Sequence, residues 1–271
     1  MIAGWGFIRK QVNSLCARSG ERWKSWNAIK EGLLSGPVLY GVGVGPGDPE
    51  LLTLKAVRVL REMEHIFVAS SSKNDYSLAL QTVREHLPPG TPVERLPFPM
   101  TRERRVLEEA WEENACRVAR VLCEKNRAAF LTLGDPALFS TFGHLARRLK
   151  KHLPRAEVRL IPGITAAQAA AARLGLLLAE GEEAFVIASG LAADEVLQKL
   201  SREASSLVLY KVYRRAGAIL RLLEKTGRLP ETRAISFCGF PEEKIYSNPR
   251  ELSGSTPPYF TLLIVGGKPL D

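Results

Sequence analysis

Three short segments carry residues whose types and spacing could do chemistry. The first, GVGVGPGDPELLT from Gly41 to Thr53, follows the strand-like run Pro37-Val-Leu-Tyr40 and packs four glycines, a proline and an aspartate into eight positions. Glycine loops between a strand and a helix often cradle a phosphate, but neither familiar template fits. The dinucleotide fingerprint GxGxxG needs a third glycine where this chain has Pro46 or Asp48, and a Walker A loop needs Gly-Lys-Ser/Thr, whereas no lysine follows until Lys55. Asp48 is placed as a helix N-cap with Pro49 at the first helical position, and its carboxylate would repel a phosphate there. The loop therefore suits a ligand that is not an anion.

The second segment, GDPALFST from Gly134 to Thr141, follows the apolar run Ala128 to Leu133 and repeats the Gly-Asp-Pro helix start of Gly47-Asp48-Pro49. The third, PGITAAQAAAA, follows Val158 to Ile161, with Gly163 freeing the backbone before an alanine-rich helix. Each segment alone is ordinary turn chemistry. Together, in this order, they place small, turn-forming residues at the carboxyl ends of three parallel strands, where open α/β sheets bind ligands. Metal chemistry is not indicated: Cys16, Cys116, Cys123 and Cys238 form no CxxC pair, and His65, His86, His144 and His152 are scattered. Cys116 and Cys123, seven apart in a helical pattern, are expected to be buried thiols.

The 271 residues, 45% of them hydrophobic, suffice for one large or two modest domains with real cores. No apolar run approaches the roughly 18 residues of a membrane span, and the opening Met1 to Ile8 is too short and wrongly flanked for a secretory signal, so a cytoplasmic protein is expected. The net charge of +9 implies an anionic partner without naming it.

The elements that must position the three segments follow from periodicity. Short apolar strands alternate with amphipathic helices, which predicts α/β architecture with a mostly parallel sheet. Strands are expected near 37–44, 64–69, 92–96, 128–133 and 156–161, then near 184–189, 206–212, 233–238 and 259–265. The last two read as an antiparallel hairpin or meander. Thr101 to Lys125 is the longest predicted helix, with Leu107, Trp111, Val118 and Leu122 on one face and Arg104/Glu108, Arg105/Glu109 and Glu113/Arg117 paired at i,i+4. Two sets of strands imply two α/β domains, 38–163 and 164–271, joined between Pro162 and Gly181. Residues 1–37 form a basic N-terminal extension with six Lys/Arg against two Glu and with Trp5, Trp23 and Trp26 interleaved. It reads as a helical extension or a tail, and alternatively as an arm that touches nucleic acid or a membrane surface.

At VGVGPGDPELLTLKAVRVL, FLTLGDPALFSTF and PGITAAQAAAARLGLLLAEGEE the chain resembles the tetrapyrrole methylases, over about Val38 to Val265. The resemblance implies two α/β domains with mixed, mostly parallel sheets, an active site in the cleft between them, S-adenosyl-L-methionine as cofactor, and a homodimer. Within the family, LYGVGVGPGDPELLTLKA with LTLGDPALFSTF looks most like the precorrin-2 or cobalt-factor II C(20)-methyltransferases of cobalamin biosynthesis. Tyr210 and Tyr213 depart from the Met-Lys-Val-Gly-Arg segment of that subgroup.

Carried over residue by residue, the family pattern implies that Leu133, Gly134, Asp135 and Leu138 border the methionine and ribose parts of the cofactor, with Thr141 close by. Thr165 and Ala166 would provide a hydroxyl and a small wall, Pro46 would face the cofactor from the first loop, and Lys211 would approach the adenine through its backbone. Asp135 would accept hydrogen bonds from the ribose or ammonium, and Asp48 would cap its helix without touching the cofactor. The carboxylate-rimmed substrate would be met by cations among Arg102, His144, Arg147, Arg148, Arg214 and Arg215, with Arg102 favoured because it lies outside the paired helix face. No Asp, Glu, His or Tyr is singled out as a catalytic base. Two other readings compete: an RNA 2'-O-methyltransferase on the same fold, which would use the charge for phosphates, and a non-catalytic tetrapyrrole-binding or nucleotide-binding protein.

Overall fold

The computed structural model describes residues 36–70, 77–101, 103–254 and 256–270. The extension up to residue 35 and Arg102 therefore lie outside the described residues.

The first sheet is formed by β1 (Val38–Gly43), β2 (His65–Ser70), β3 (Val93–Pro97), β4 (Arg127–Thr132) and β5 (Glu157–Ile161). Its order is β3-β2-β4-β1-β5, and every pairing is parallel. Side chains alternate across a strand, so each central strand feeds two cores. Val38, Tyr40, Val42, Ile66, Val68, Ala129 and Leu131 point to one face, where α1 (Leu54–Leu60) contributes Ala56 and Leu60, and α2 (Leu78–Val83) contributes Ala79 and Val83. Leu39, Phe67, Ala128 and Phe130 point to the other, covered by Val118 and Leu122 of α3 (Arg104–Glu124) and by Phe142, Leu145 and Leu149 of α4 (Phe142–His152). Burial on both faces explains why these strands read as continuous apolar runs.

α5 (Ala166–Arg173) leaves the first sheet and packs on the second. After the short β6 (Leu176–Leu177), that sheet collects β7 (Phe185–Ser189), β8 (Ser206–Tyr210), β9 (Thr232–Ser236), β10 (Lys244–Tyr246) and β11 (Thr261–Val265) in the order β10-β9-β11-β8-β7. β7 and β8 are parallel, and the remaining pairs are antiparallel. Ala167, Ala169, Ala170 and Ala171 of α5 lie against Val208, Ile235, Leu262 and Ile264. The opposite face carries α6 (Asp194–Glu203) and α7 (Ala216–Lys225), whose Leu197, Ile219, Leu220 and Leu223 meet Leu207, Leu209, Leu263 and Val265. Small residues let α5 approach closely. The last strand, β12 (Lys268–Pro269), pairs with β6.

Three expectations need correction. β10 is an additional strand: the segment between β9 and β11 folds back on β9 before β11 pairs with β9's other edge. Cys116 and Cys123 are exposed, not buried. The buried stripe of α3 runs through Ala115, Val118 and Leu122, and each cysteine sits one residue, about 100°, beyond it. The helix begun at Asp48 is a single 3-10 turn, Pro49–Leu51, with the Asp48 carboxylate accepting from the Glu50 amide at 2.8 Å, and α1 starts afresh from its own cap, Thr53. The three i,i+4 pairs on α3 form as read.

The solvated pairs on α3 contrast with Arg228, which is largely covered. Its guanidinium donates to the carbonyls of Ser201 and Ala204 in the last turn of α6 and just past it, and to Ser205, while pairing with Glu231. It thereby satisfies carbonyls that a helix end leaves without partners. Replacing Arg228 with Met should lower stability in chemical denaturation by about 2 kcal/mol. Replacing Arg104 with Gln should leave the midpoint unchanged, because its ion pair is fully solvated.

Candidate active site

β1 lies between β4 and β5, so the loops after these three parallel strands emerge side by side. The loops then touch backbone to backbone. Gly45 and Gly134 form a bridge in which the Gly134 amide donates to the Gly45 carbonyl at 2.6 Å. A Cβ on Gly43 would stand 2.6 Å from the Gly134 oxygen and 2.6 Å from the Gly163 nitrogen, and one on Gly163 would collide with the Gly134 oxygen and the Gly43 backbone. The other glycines of the first loop are equally close to protein: Gly41 faces the Phe142 ring and Gly47 the Phe240 ring. The glycines therefore serve close packing of the protein against itself, a reason different from the expected ligand approach.

Asp135 joins two of these loops. One carboxylate oxygen accepts from the Ala137 amide at 2.7 Å and the other from the Gly163 amide at 3.0 Å. The carboxylate read as a partner for the cofactor's ribose or ammonium is thus first a clamp between the second and third segments. Thr165 is likewise engaged. It caps α5 in a capping box with Gln168, donating its hydroxyl to the Gln168 side chain at 2.8 Å.

The second sheet reaches this cluster through the end of β8. The Tyr210 hydroxyl accepts from the Ala167 amide in the first turn of α5 at 2.8 Å, and the Phe139 ring lies 5.5 Å from the Tyr210 ring. Burial pushes the Tyr210 phenol up, so it stays protonated at neutral pH. Lys211 follows in a left-handed conformation, with its ammonium 5.2 Å from the centre of the Phe139 ring. Among the described residues, the non-glycine residues with positive φ are Phe139, Lys211 and Phe237. Phe139 and Lys211 meet at this junction, and Phe237 stands beside Phe240, the ring that covers Gly47. Unfavourable backbone held by surrounding packing is typical of functional sites.

Contacts thus link Gly134, Asp135, Thr165 and Lys211, through Gly163, Phe139, Tyr210 and the first turn of α5 that Ala166 begins. Pro46 is buried facing Gly239, close to Phe240. Leu133 and Leu138 are half-buried in the second loop, and Thr141 begins α4 without capping it through its side chain. Phe139, Phe237, Phe240 and Tyr259 were not singled out from sequence; Phe139 and Tyr210 lay inside quoted segments, but nothing local marks a ring that will face a cleft.

The basic candidates separate by what already holds them. His144 stacks on Trp111 with ring centres 4.0 Å apart, and burial, then Arg147 and Arg148, hold its pKa below the ordinary histidine value. In the protein without ligand its imidazole is therefore held toward the neutral form. Arg148 lies over the same Trp111 ring and pairs with Glu112 at 3.6 Å. Arg215 pairs with Asp194 and donates to the Ala192 carbonyl at 2.7 Å, so it fixes the start of α6 instead of facing a ligand. Arg147 is exposed beside His144. Arg214 is exposed, with its guanidinium 5.3 Å from the Tyr213 ring centre.

The clamp role of Asp135 has a direct consequence. Asp135→Asn keeps one acceptor and turns an amide NH2 toward a backbone N–H, so the protein without cofactor should lose about 1.5–3 kcal/mol of stability in denaturant titration. A residue that contacted only a ligand would leave that stability unchanged. Gly163→Ala should cost a comparable amount, about 1–3 kcal/mol, by forcing the loops apart.

Comparison with known proteins agrees with this geometry. A sequence profile of the tetrapyrrole (corrin/porphyrin) methylases matches residues 38–252. The chain is 32% identical to the cobalt-precorrin-2 C(20)-methyltransferase of Salmonella typhimurium over 84% of this chain and 95% of that protein. It is 38% identical to a probable cobalt-precorrin-2 C(20)-methyltransferase of Methanocaldococcus jannaschii over 64% of this chain and 71% of the other. Among solved structures, uroporphyrin-III C-methyl transferase from Thermus thermophilus complexed with S-adenyl homocysteine superposes with a TM-score of 0.61 at 26% identity, covering 85% of this chain and 97% of that one. A profile that covers the first sheet and most of the second, and a relative matched over 95% of its length, carry the same conclusion as the converging loops: the chain belongs to the tetrapyrrole (corrin/porphyrin) methylases.

Proposed function

We propose that this chain methylates a reduced tetrapyrrole, precorrin-2 or its cobalt complex, at carbon 20, using S-adenosyl-L-methionine, as a step in cobalamin biosynthesis. The observation that carries the reading is the alignment with the Salmonella typhimurium enzyme across 95% of that protein's length. Two features of the loops support this cofactor: Asp48 and Asp135 disfavour a phosphate there, and the 43%-exposed Phe139 beside Tyr210 offers an aromatic surface to an adenine. Leu133, Gly134, Asp135, Leu138, Thr141, Thr165, Ala166, Pro46 and Lys211 would hold it.

When bound, S-adenosylmethionine supplies a methyl group on a sulfonium, which is already an activated leaving group. The protein's part is positioning. The Gly43, Gly134 and Gly163 contacts hold the three loops at fixed separation, and the Tyr210 hydroxyl ties the second sheet to them. Rigid placement of two reactants and exclusion of water supply most of the acceleration in such a displacement. A meso carbon of a reduced tetrapyrrole is enamine-like and needs no deprotonation before attack.

We further propose a cytoplasmic homodimer. Among the described residues no helix is long and apolar enough to cross a membrane. Leu54, 90% exposed, and Leu160, 50% exposed, flank the contact where the Thr53 hydroxyl donates to the Pro162 carbonyl. A second copy would cover these apolar side chains.

Incubation with S-adenosylmethionine and enzymatically generated precorrin-2, with and without cobalt, should yield a singly methylated product whose new methyl group NMR places on carbon 20. Methylation at another ring position would overturn the regiochemistry. Methylation of RNA with none of the tetrapyrrole would overturn the substrate class.

A further inference from the structure

Two exposed arginines without ion pairs among the described residues meet at one pocket beside the second sheet. Arg214 and Arg221 are both exposed, and neither makes an ion pair with a described residue, whereas Arg173, Arg215, Arg228 and Arg250 all do. They face one concave pocket of about 270 Å³, lined also by Tyr213, Gly217, Ala218, Leu252 and Ser253 and by Arg215, whose guanidinium is already paired with Asp194. Arg221 lies one helical turn beyond Gly217, with its guanidinium 3.6 Å from where a Cβ on Gly217 would be. The pocket thus offers two guanidinium groups without ion pairs beside small residues of the first turn of α7. It also abuts the start of α7, which no side chain caps, so the partial positive charge of that helix end adds to the arginines.

The pocket continues the cleft. Lys211, which contacts Phe139, opens the 3-10 turn Val212–Arg214 that carries Tyr213 and Arg214 into the pocket wall. Tyr213 lies 5.1 Å from Tyr259, Tyr259 5.1 Å from Phe260, and Phe260 6.2 Å from Phe240, the ring that covers Gly47. An aromatic seam therefore runs from the first glycine loop to the two arginines.

We propose that the Arg214/Arg221 pocket is a carboxylate subsite that seats one acidic side chain of the tetrapyrrole, with the macrocycle lying along the Tyr213–Tyr259–Phe260 seam. It rests on the reading of the substrate as a carboxylate-bearing tetrapyrrole. The volume is below the roughly 300–1,000 Å³ of sites that enclose a drug-sized molecule. It admits a carboxylate arm and leaves the ring outside. Planar guanidinium groups match carboxylates in bidentate geometry, so the site selects a substituent's position as well as its charge. Tyr213 departs from the glycine of the resembled segment, so the aromatic edge of the pocket belongs to this chain.

The test compares the full-length wild type with Arg214→Gln/Arg221→Gln and with Ala218→Glu, which places a carboxylate in the first turn of α7. Acidic residues favour a helix N-terminus, so Ala218→Glu should fold at least as well as the wild type while opposing an anionic ligand. Both variants should raise the KM for precorrin-2 about ten- to hundredfold, with kcat at saturation and the S-adenosylmethionine Kd from calorimetry unchanged. An unchanged KM in either folded variant overturns the subsite. A cofactor Kd that rises with KM assigns the pocket to the methionine carboxylate of the cofactor instead. If the wild type methylates no tetrapyrrole, the proposed function fails by itself. Absorbance titration of precorrin-2 into wild type and variants then still decides the subsite, with equal affinities refuting it.

Discussion

The contact on which the rest of this structure depends is the meeting of three loops at the Gly43, Gly134 and Gly163 backbones. Parallel strands ending side by side leave no room for side chains where their loops cross the top of the sheet, and here the distances leave none for even a single carbon. Close-packed interiors do not absorb such an atom by small adjustments. The loops therefore keep one relative position, and the groups they carry, Asp135, Phe139 and the start of α5, are placed by it. The Asp135 carboxylate, accepting from two backbone amides, locks what the glycines allow.

The second sheet is attached to this arrangement at few points, each chemically specific. α5 follows the first sheet in sequence and packs on the second, so its amino-terminal turn belongs to both. Tyr210 reaches that turn with its hydroxyl and the second loop with its ring. Left-handed backbone at Phe139 and Lys211 shows that this junction dictates conformation against local preference. The two sheets are thereby held in a fixed relation where the loops of the first meet the end of β8.

The large positive charge is sorted by structure into distinct uses. Some cations lie in solvated i,i+4 pairs and others, Arg228 and Arg215, satisfy carbonyls at the ends of α6. His144, stacked on Trp111, has its pKa lowered by burial and then by two neighbouring arginines. Arg214 and Arg221, without ion pairs and beside an aromatic seam, remain available to an acidic partner.

The alternation of strands and helices, the failure of both phosphate templates, the cap at Asp48 and the i,i+4 pairs on α3 were all legible in the sequence, because each depends on neighbours within a few residues. The clustering of three strand-end segments was legible too, since parallel strands place their carboxyl ends together whatever their side chains. What the sequence could not decide depends on atoms brought together from distant positions. It marked the glycines without showing that they approach one another, and it marked Asp135 as a polar group without showing that the Gly163 amide, 28 residues away, would take one oxygen. It placed Cys116 and Cys123 one residue too near the core, because periodicity fixes a stripe only to within one side chain. It gave the same residue type to Arg214 and Arg215, and only the fold brought Asp194 to Arg215 and left Arg214, on the wall of the same pocket, without an ion pair.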